Sequence, residues 1–356
     1  MYIAIGIVGL LAFLGLGALG LMLGHFLYGK ETTPHRIEYI KAPDGWRLGA
    51  EVHLPEGERK GVVMLGHGSA LNHNSFDLAE NHSLVRYLVQ KGFEVWNVDW
   101  RGNGHSKRPH LLKQGQWLFE DHVRQDLPAF LEHITRVTGE ESIHCIGHSM
   151  GGLILYAYLG KYPEDKRIAS ICTLGASSML NGALPVKLFA YFARFVTLFL
   201  PRIPAVLWSR ATAAFTVPPP FHMYICHPPN LHGKIFRRRL FKMTESLCRS
   251  QVKQVLLMVT QEVCISDDGE DNFLEYYQMI STPTCFIAGS IDQLAPVRLV
   301  KEVHDVIASP VKELHIMGKE SGCQVDYAHE DLLIAKTAQQ EVYPVIGKWL
   351  EKQLNS

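Results

Sequence analysis

The chain of 356 residues is 47% hydrophobic, enough for one large α/β domain carrying an insertion or for two modest domains. Its 35 basic and 35 acidic residues cancel, so no global charge draws it to nucleic acid, and no nucleic-acid partner is expected. Seven cysteines, an odd number with no C-x-x-C, argue against a disulfide framework and for a reducing compartment.

Residues 1–30 read as a membrane anchor. Tyr2 to Tyr28 carries no charged side chain. As a helix this stretch reaches about 40 Å, more than the ~30 Å of bilayer hydrocarbon. It lacks the basic start and the short apolar run of a cleaved signal peptide. Gly20 and Gly24 form a G-x-x-x-G pair, read as the ordinary glycine enrichment of membrane helices. Lys30 and Arg36 follow the span, which orients the rest of the chain to the cytoplasm. The sequon Asn81-His82-Ser83 points the other way.

From residue 36 onward strands and helices alternate. Strands are expected at Ile37–Lys41, Leu48–His53, Gly61–Gly66, Phe93–Val98, Ser142–Gly147, Ile168–Leu174, Thr284–Ala288 and Lys312–Met317. Several are short, apolar and bounded by Gly or Pro, as strands buried on both faces are. Helical periodicity fills Leu78–Lys91, Phe119–Val137, Met150–Tyr162, Val297–Ile307 and Val342–Leu354. This alternation predicts a mainly parallel sheet with helices on both faces, an α/β fold. It is interrupted over residues 179–281, which hold proline clusters (Pro218–Pro220, Pro228, Pro229), basic residues and apolar helices. The expected organisation is therefore an anchor (1–30), a core in two parts (36–178 and 282–356) and an insertion between them.

The chemistry starts at Gly147-His148-Ser149-Met150-Gly151, a G-x-S-x-G between an apolar strand and a helical run. Such a turn pushes the Ser149 hydroxyl out at the carboxyl edge of the sheet and leaves the Met150 N–H free at a helix start. The glycines are there because side chains on either side of the strained turn would clash. A serine hydroxyl is a weak nucleophile and needs a base, and the base needs an orienting carboxylate. Asp292 follows the strand ending at Ala288, and His329 follows the last strand, giving the chain order Ser, Asp, His. The rival acid is the Ser266–Asn272 run, read as a solvated loop. The rival bases are His304 and His315, read as a helix-surface and a strand residue. The second oxyanion donor is assigned to the Ser69 N–H in Gly66-His67-Gly68-Ser69, with Gly68 admitting the substrate and His67 acting as a structural hydrogen-bonder. Asp99-Trp100-Arg101-Gly102-Asn103-Gly104-His105-Ser106 is read as an architectural turn fixed by Asp99 and Arg101. Of the scattered histidines only His144 and His148 share a helical metal-site spacing, and they flank a strand end, so no metal site is read.

Together these motifs resemble the α/β-hydrolase superfamily over residues 36–356. The resemblance implies an α/β-hydrolase fold, with a mainly parallel eight-stranded sheet and a helical cap. The stretch from Asp126-Leu127-Pro128-Ala129 through Thr138-Gly139 is similar to the gastric and lysosomal acid lipases. Asp326–Leu332 looks like polyhydroxyalkanoate-synthase relatives. The chain departs from both, with Ser149 where the synthases use cysteine and Met150 where acid lipases have Gln. Acid lipases, moreover, are usually secreted. Dehalogenases and epoxide hydrolases would need Asp at position 149.

Within the insertion, Leu184–Leu207 is rich in Leu, Phe, Ala and Val, with Lys187, Arg194, Arg202 and Arg210 at intervals. Pro201 and Pro204 divide it. It reads equally as an interfacial lid and as a helix packed on the core. Arg237-Arg238-Arg239 is read as a solvated basic cluster open to anionic lipid. The expected activity is a membrane-anchored serine hydrolase for hydrophobic carboxylic esters, with membrane lipid as partner and no metal or organic cofactor. An acyltransferase or thioesterase on the same residues is the alternative, and a non-catalytic binding module is the third reading.

Overall fold

The computed structural model describes residues 17–28, 33–107, 116–179, 182–213 and 222–355. Eight apolar runs form one sheet: β1 Arg36–Lys41, β2 Arg47–His53, β3 Gly61–Gly66, β4 Phe93–Asp99, β5 Ile143–His148, β6 Ile168–Leu174, β7 Thr284–Gly289 and β8 Lys312–Met317. Their spatial order is β1-β2-β4-β3-β5-β6-β7-β8. The β1–β2 and β2–β4 pairs are antiparallel and all others parallel. Every residue of β4, β5 and β7 is buried, which is why these strands read as unbroken apolar runs rather than alternating ones.

Flanking helices are α1 Leu84–Gln90, α2 Leu127–Thr138, α3 Met150–Lys161, α8 Val297–Val306 and α9 Tyr343–Leu354. The helix α3 is buried along nearly its whole length. Two expected helices are corrected. Leu78–Lys91 is not one helix, because Asp77–Ala79 and His82–Ser83 pair as a short hairpin. The Ser83 hydroxyl then caps α1 by accepting from the Arg86 N–H at 2.9 Å. Phe119–Val137 is interrupted by a π-helical turn at His122–Asp126, which ends two residues before Pro128, a residue with no N–H to give the ladder.

Between β6 and β7 lie α4 Leu184–Phe199, α5 Ala205–Thr212, α6 Gly233–Lys242 and α7 Arg249–Gln261. Pro201 and Pro204 fall in the break between α4 and α5. Val186 and Ala190 of α4 pack on Val259 of α7. The opposite face of α4 exposes Leu188, Phe192, Phe195 and Phe199. Pro218–Pro220 lie outside the described residues.

Most of the expected anchor also lies outside the described residues. Residues 17–28 are helical, and Tyr28 is buried with Ala213, Leu240 and Phe241. Gly24 meets the Phe241 ring so closely that a Cβ would sit 2.6 Å from it. This glycine therefore serves a contact within the chain, not mere enrichment. Among the described residues no helix is long and apolar enough to cross a membrane.

Candidate active site

The site is built at the carboxyl ends of β3, β5, β6 and β7. The chain leaves β5 through Ser149 at φ 52°, ψ −121°, and turns straight into α3. That conformation is strained for a residue with a Cβ and is held by its surroundings. The Ser149 N–H donates to Leu174 O at 2.9 Å. A Cβ on Gly147 would lie 2.5 Å from the Gly152 nitrogen, and one on Gly151 would lie 2.1 Å from Gly66 O. Both flanking glycines are thus demanded by backbone contact.

Asp292 lies just beyond β7. Its Oδ1 accepts from the N–H groups of Leu294 and Ala295, both at 2.8 Å. Its Oδ2 faces His329 Nδ1 at 2.7 Å. With one carboxylate oxygen held by backbone and the other on the ring, the His329 tautomer is set, leaving Nε2 for proton transfer. Ser149, Asp292 and His329 are all buried, at 8%, 4% and 3% exposure. A Cβ on Gly175 would fall 3.1 Å from both Asp292 Oδ2 and His329 Nδ1, so the backbone after β6 forms the floor beneath this pair. Among the described residues the Ser149 hydroxyl makes no hydrogen bond to His329. Such bonds are commonly long without substrate and tighten on binding.

Burial alone would lower the His329 pKa, but the charge and hydrogen bond of Asp292 outweigh it and raise the group above 6.5. The neighbouring His148 is held neutral, its pKa pushed down to about 3 by burial and then by His329. Its ring centroid lies 4.8 Å from that of His329, and its Nε2 is 3.3 Å from His329 O. His148 therefore packs against the His329 ring.

The expected oxyanion donors also converge here. Ser69 and Met150 line a small apolar cleft with Ser149, Phe119, Leu153 and α7 residues including Gln254 and Met258. Neither the Ser69 nor the Met150 N–H donates a hydrogen bond among the described residues. Ala70 follows Ser69 at φ 55°, a second strained non-glycine residue. The loop is fixed from two sides. The Trp100 N–H donates to His67 Nε2 at 3.2 Å, so His67 Nδ1 carries the proton it gives to Gly68 O at 2.8 Å. Asn72 Nδ2 donates to Lys242 O and Glu245 Oε1, each at 2.9 Å, and the Glu245 N–H donates to Ala70 O at 2.7 Å.

The rivals are engaged elsewhere. Asp268 and Asp271 pair with Arg124, both at 2.6 Å. His304 and His315 face Asp305 and Glu313. The turn after β4 is architectural, as expected: Arg101 Nε donates to Asp126 Oδ1 at 2.8 Å and the Ser106 hydroxyl to Asp99 O at 2.5 Å. The basic cluster needs correcting. Arg239 is buried and pairs bidentately with Glu330, the residue after His329, with both contacts at 2.6 Å. No spacing in the sequence marks that pair, because its members lie 91 residues apart.

The model of the α/β hydrolase fold family matches residues 61–316. The chain is 30% identical over 171 residues to the lipase lipl-1 of Caenorhabditis elegans, covering 45% of this chain and 40% of that protein. It is 35% identical over 157 residues to the lysosomal acid lipase/cholesteryl ester hydrolase of Homo sapiens, covering 40% of this chain and 39% of that protein. These matches thus span about two fifths of the length of those relatives. Among solved structures it is similar to a soluble variant of monoglyceride lipase from Saccharomyces cerevisiae. That match has a TM-score of 0.61 and 19% identity, and covers 91% of this chain and 97% of that one. Fold, strand order and sequence agree, and the chain belongs to the α/β-hydrolase fold family.

Proposed function

We propose that the protein is a serine hydrolase that cleaves carboxylic esters of hydrophobic acyl groups, with Ser149 as nucleophile, His329 as base and Asp292 as its orienting acid. The observation that supports this reading is a strained Ser149 elbow after β5 together with a 2.7 Å His329–Asp292 pair beyond β7 of the same sheet. The similarity to lipases supports the ester chemistry.

In the first step Ser149 Oγ gives its proton to His329 Nε2 and bonds to the acyl carbon. The N–H groups of Ser69 and Met150 take up the charge that develops on the carbonyl oxygen. The carbon–oxygen bond to the alcohol then breaks, and His329 returns the proton to the leaving oxygen. In the second step water loses a proton to His329 and attacks the acyl-enzyme, releasing the acid and restoring Ser149. The apolar lining by Phe119, Leu153 and Met258 favours an acyl chain over a sugar or peptide. We assign 179–281 as the cap over this cleft, since α7 lines it.

The membrane reading rests on exposed apolar surface. Phe26 is 86% and Met22 72% exposed in the N-terminal helix, and Phe192 and Phe199 of α4 are 64% and 72% exposed. Such a surface suits a bilayer that is both support and source of substrate.

The test is labelling by a fluorophosphonate probe. Wild type labels at Ser149, and Ser149→Ala gives neither labelling nor turnover, a loss of at least about 10⁴-fold in kcat. An unchanged circular dichroism spectrum shows that the fold survives. Labelling that persists in Ser149→Ala refutes the assignment.

A further inference from the structure

Outside the catalytic groups, one cluster of side chains has the chemistry of a metal centre. Glu51 lies on β2, His73 in the loop that leaves β3 through Ser69, and His105 in the turn after β4. His105 Nε2 is 3.2 Å and His73 Nε2 3.5 Å from the same oxygen, Glu51 Oε1. The three ligand atoms lie within 4.8 Å of one another. Four ligands about 2.0–2.1 Å from a tetrahedral zinc ion stand about 3.3 Å apart, so these contacts are already at coordination spacing.

The surroundings favour a cation. Asp99, fully buried, accepts from His73 Nδ1 at 2.7 Å, the carboxylate–histidine arrangement that fixes the tautomer of a metal ligand. With Nδ1 protonated toward Asp99, Nε2 is left with the lone pair, and Asn74 Nδ2 donates to it from 3.0 Å. The second Glu51 oxygen is buried with no hydrogen-bond partner, and the nearest base, His53 Nε2, stands 3.5 Å away. Two buried carboxylates, Glu51 and Asp99, thus meet at this cluster.

We propose that Glu51, His73 and His105 form a binding site for a divalent transition metal of the zinc class. A water, or the Asn74 side chain turned to present its oxygen, supplies the fourth ligand. The imidazole rings of His73 and His105 are stacked at 4.5 Å with 13° between planes, and both Nε2 atoms face Glu51 Oε1. The ion would be structural: it ties β2 to the Ser69-bearing loop and to the turn after β4, and takes no part in the ester chemistry.

The experiment uses the full-length, untagged chain, stripped with a chelator and titrated with zinc against a chromophoric competitor. The expected result is about one equivalent bound per chain, with a rise in melting temperature. Cobalt should give the visible ligand-field bands of a tetrahedral nitrogen–oxygen site. His105→Phe keeps the ring stack and Glu51→Gln keeps the shape; each should abolish stoichiometric binding while the metal-free spectrum and melting remain near wild type. Asp99→Asn should weaken binding about 10–100-fold. Wild type that takes up no stoichiometric zinc, or variants that bind as wild type does, overturn the proposal. Metal content is read independently of turnover, so neither result depends on the catalytic assignment.

Discussion

At the scale of single residues, the base carries two predictions. In the proposed mechanism His329 acts deprotonated, and the charge and hydrogen bond of Asp292 raise its pKa from the usual 6.5. Thus kcat/KM for a soluble ester should rise with pH through an apparent pKa above 6.5 rather than peak in acid. Asp292→Asn, which frees the wrong tautomer, should cost about 10⁴-fold in kcat. The second prediction concerns Glu330, whose charge also raises the His329 pKa and is neutralised by Arg239. Arg239→Met removes the guanidinium that pairs with a buried carboxylate next to His329. It should cost about 3–5 kcal/mol in urea unfolding and move the pH–rate midpoint upward. Glu330→Gln should move the midpoint downward. Unmoved midpoints in both variants would show that the pair only packs. The three catalytic candidates were legible because their motifs are local and sit at strand ends. His148, Asn72 and the Arg239–Glu330 pair were not, because each acts through partners that only the fold brings close.

At the scale of elements, the elbow between β5 and α3 depends on missing side chains. A Cβ on Gly151 would lie 2.1 Å from Gly66 O, and both are backbone-bound positions that cannot turn aside. Gly151→Ala should therefore lower stability by about 2–4 kcal/mol and reduce labelling of Ser149 far more than conversion of any exposed glycine such as Gly57, which has open space around it. Differential scanning fluorimetry and probe labelling of the two variants test this. All eight strands were legible, since buried parallel strands are short apolar runs with turn residues at their ends. The Leu78–Lys91 segment was misread for a physical reason. Its apolar residues do fit a helical period, but Ser83 caps a shorter helix and the residues before it pair as strands. The π-helical turn at His122–Asp126 likewise leaves the periodicity almost unchanged.

At the scale of the whole molecule, the exposed aromatic face of α4 and the apolar helix of residues 17–28 are the main candidates for contact with lipid. Phe192→Asp combined with Phe195→Asp should weaken sedimentation with phospholipid vesicles at least about tenfold, with little change in hydrolysis of a short soluble ester. Equal binding by wild type and the double variant would locate lipid contact elsewhere. The apolar N-terminal stretch was visible in composition, but how residues 17–28 meet the rest of the chain was not: Tyr28 and Gly24 settle against Phe241 of α6. That seating has a consequence when taken with the Arg239–Glu330 pair, since both Phe241 and Arg239 belong to α6. One helix thus holds residues 17–28 through Phe241 and the loop carrying His329 through Arg239. A displacement of the N-terminal helix would therefore be carried through α6 to the loop that holds the His329 imidazole.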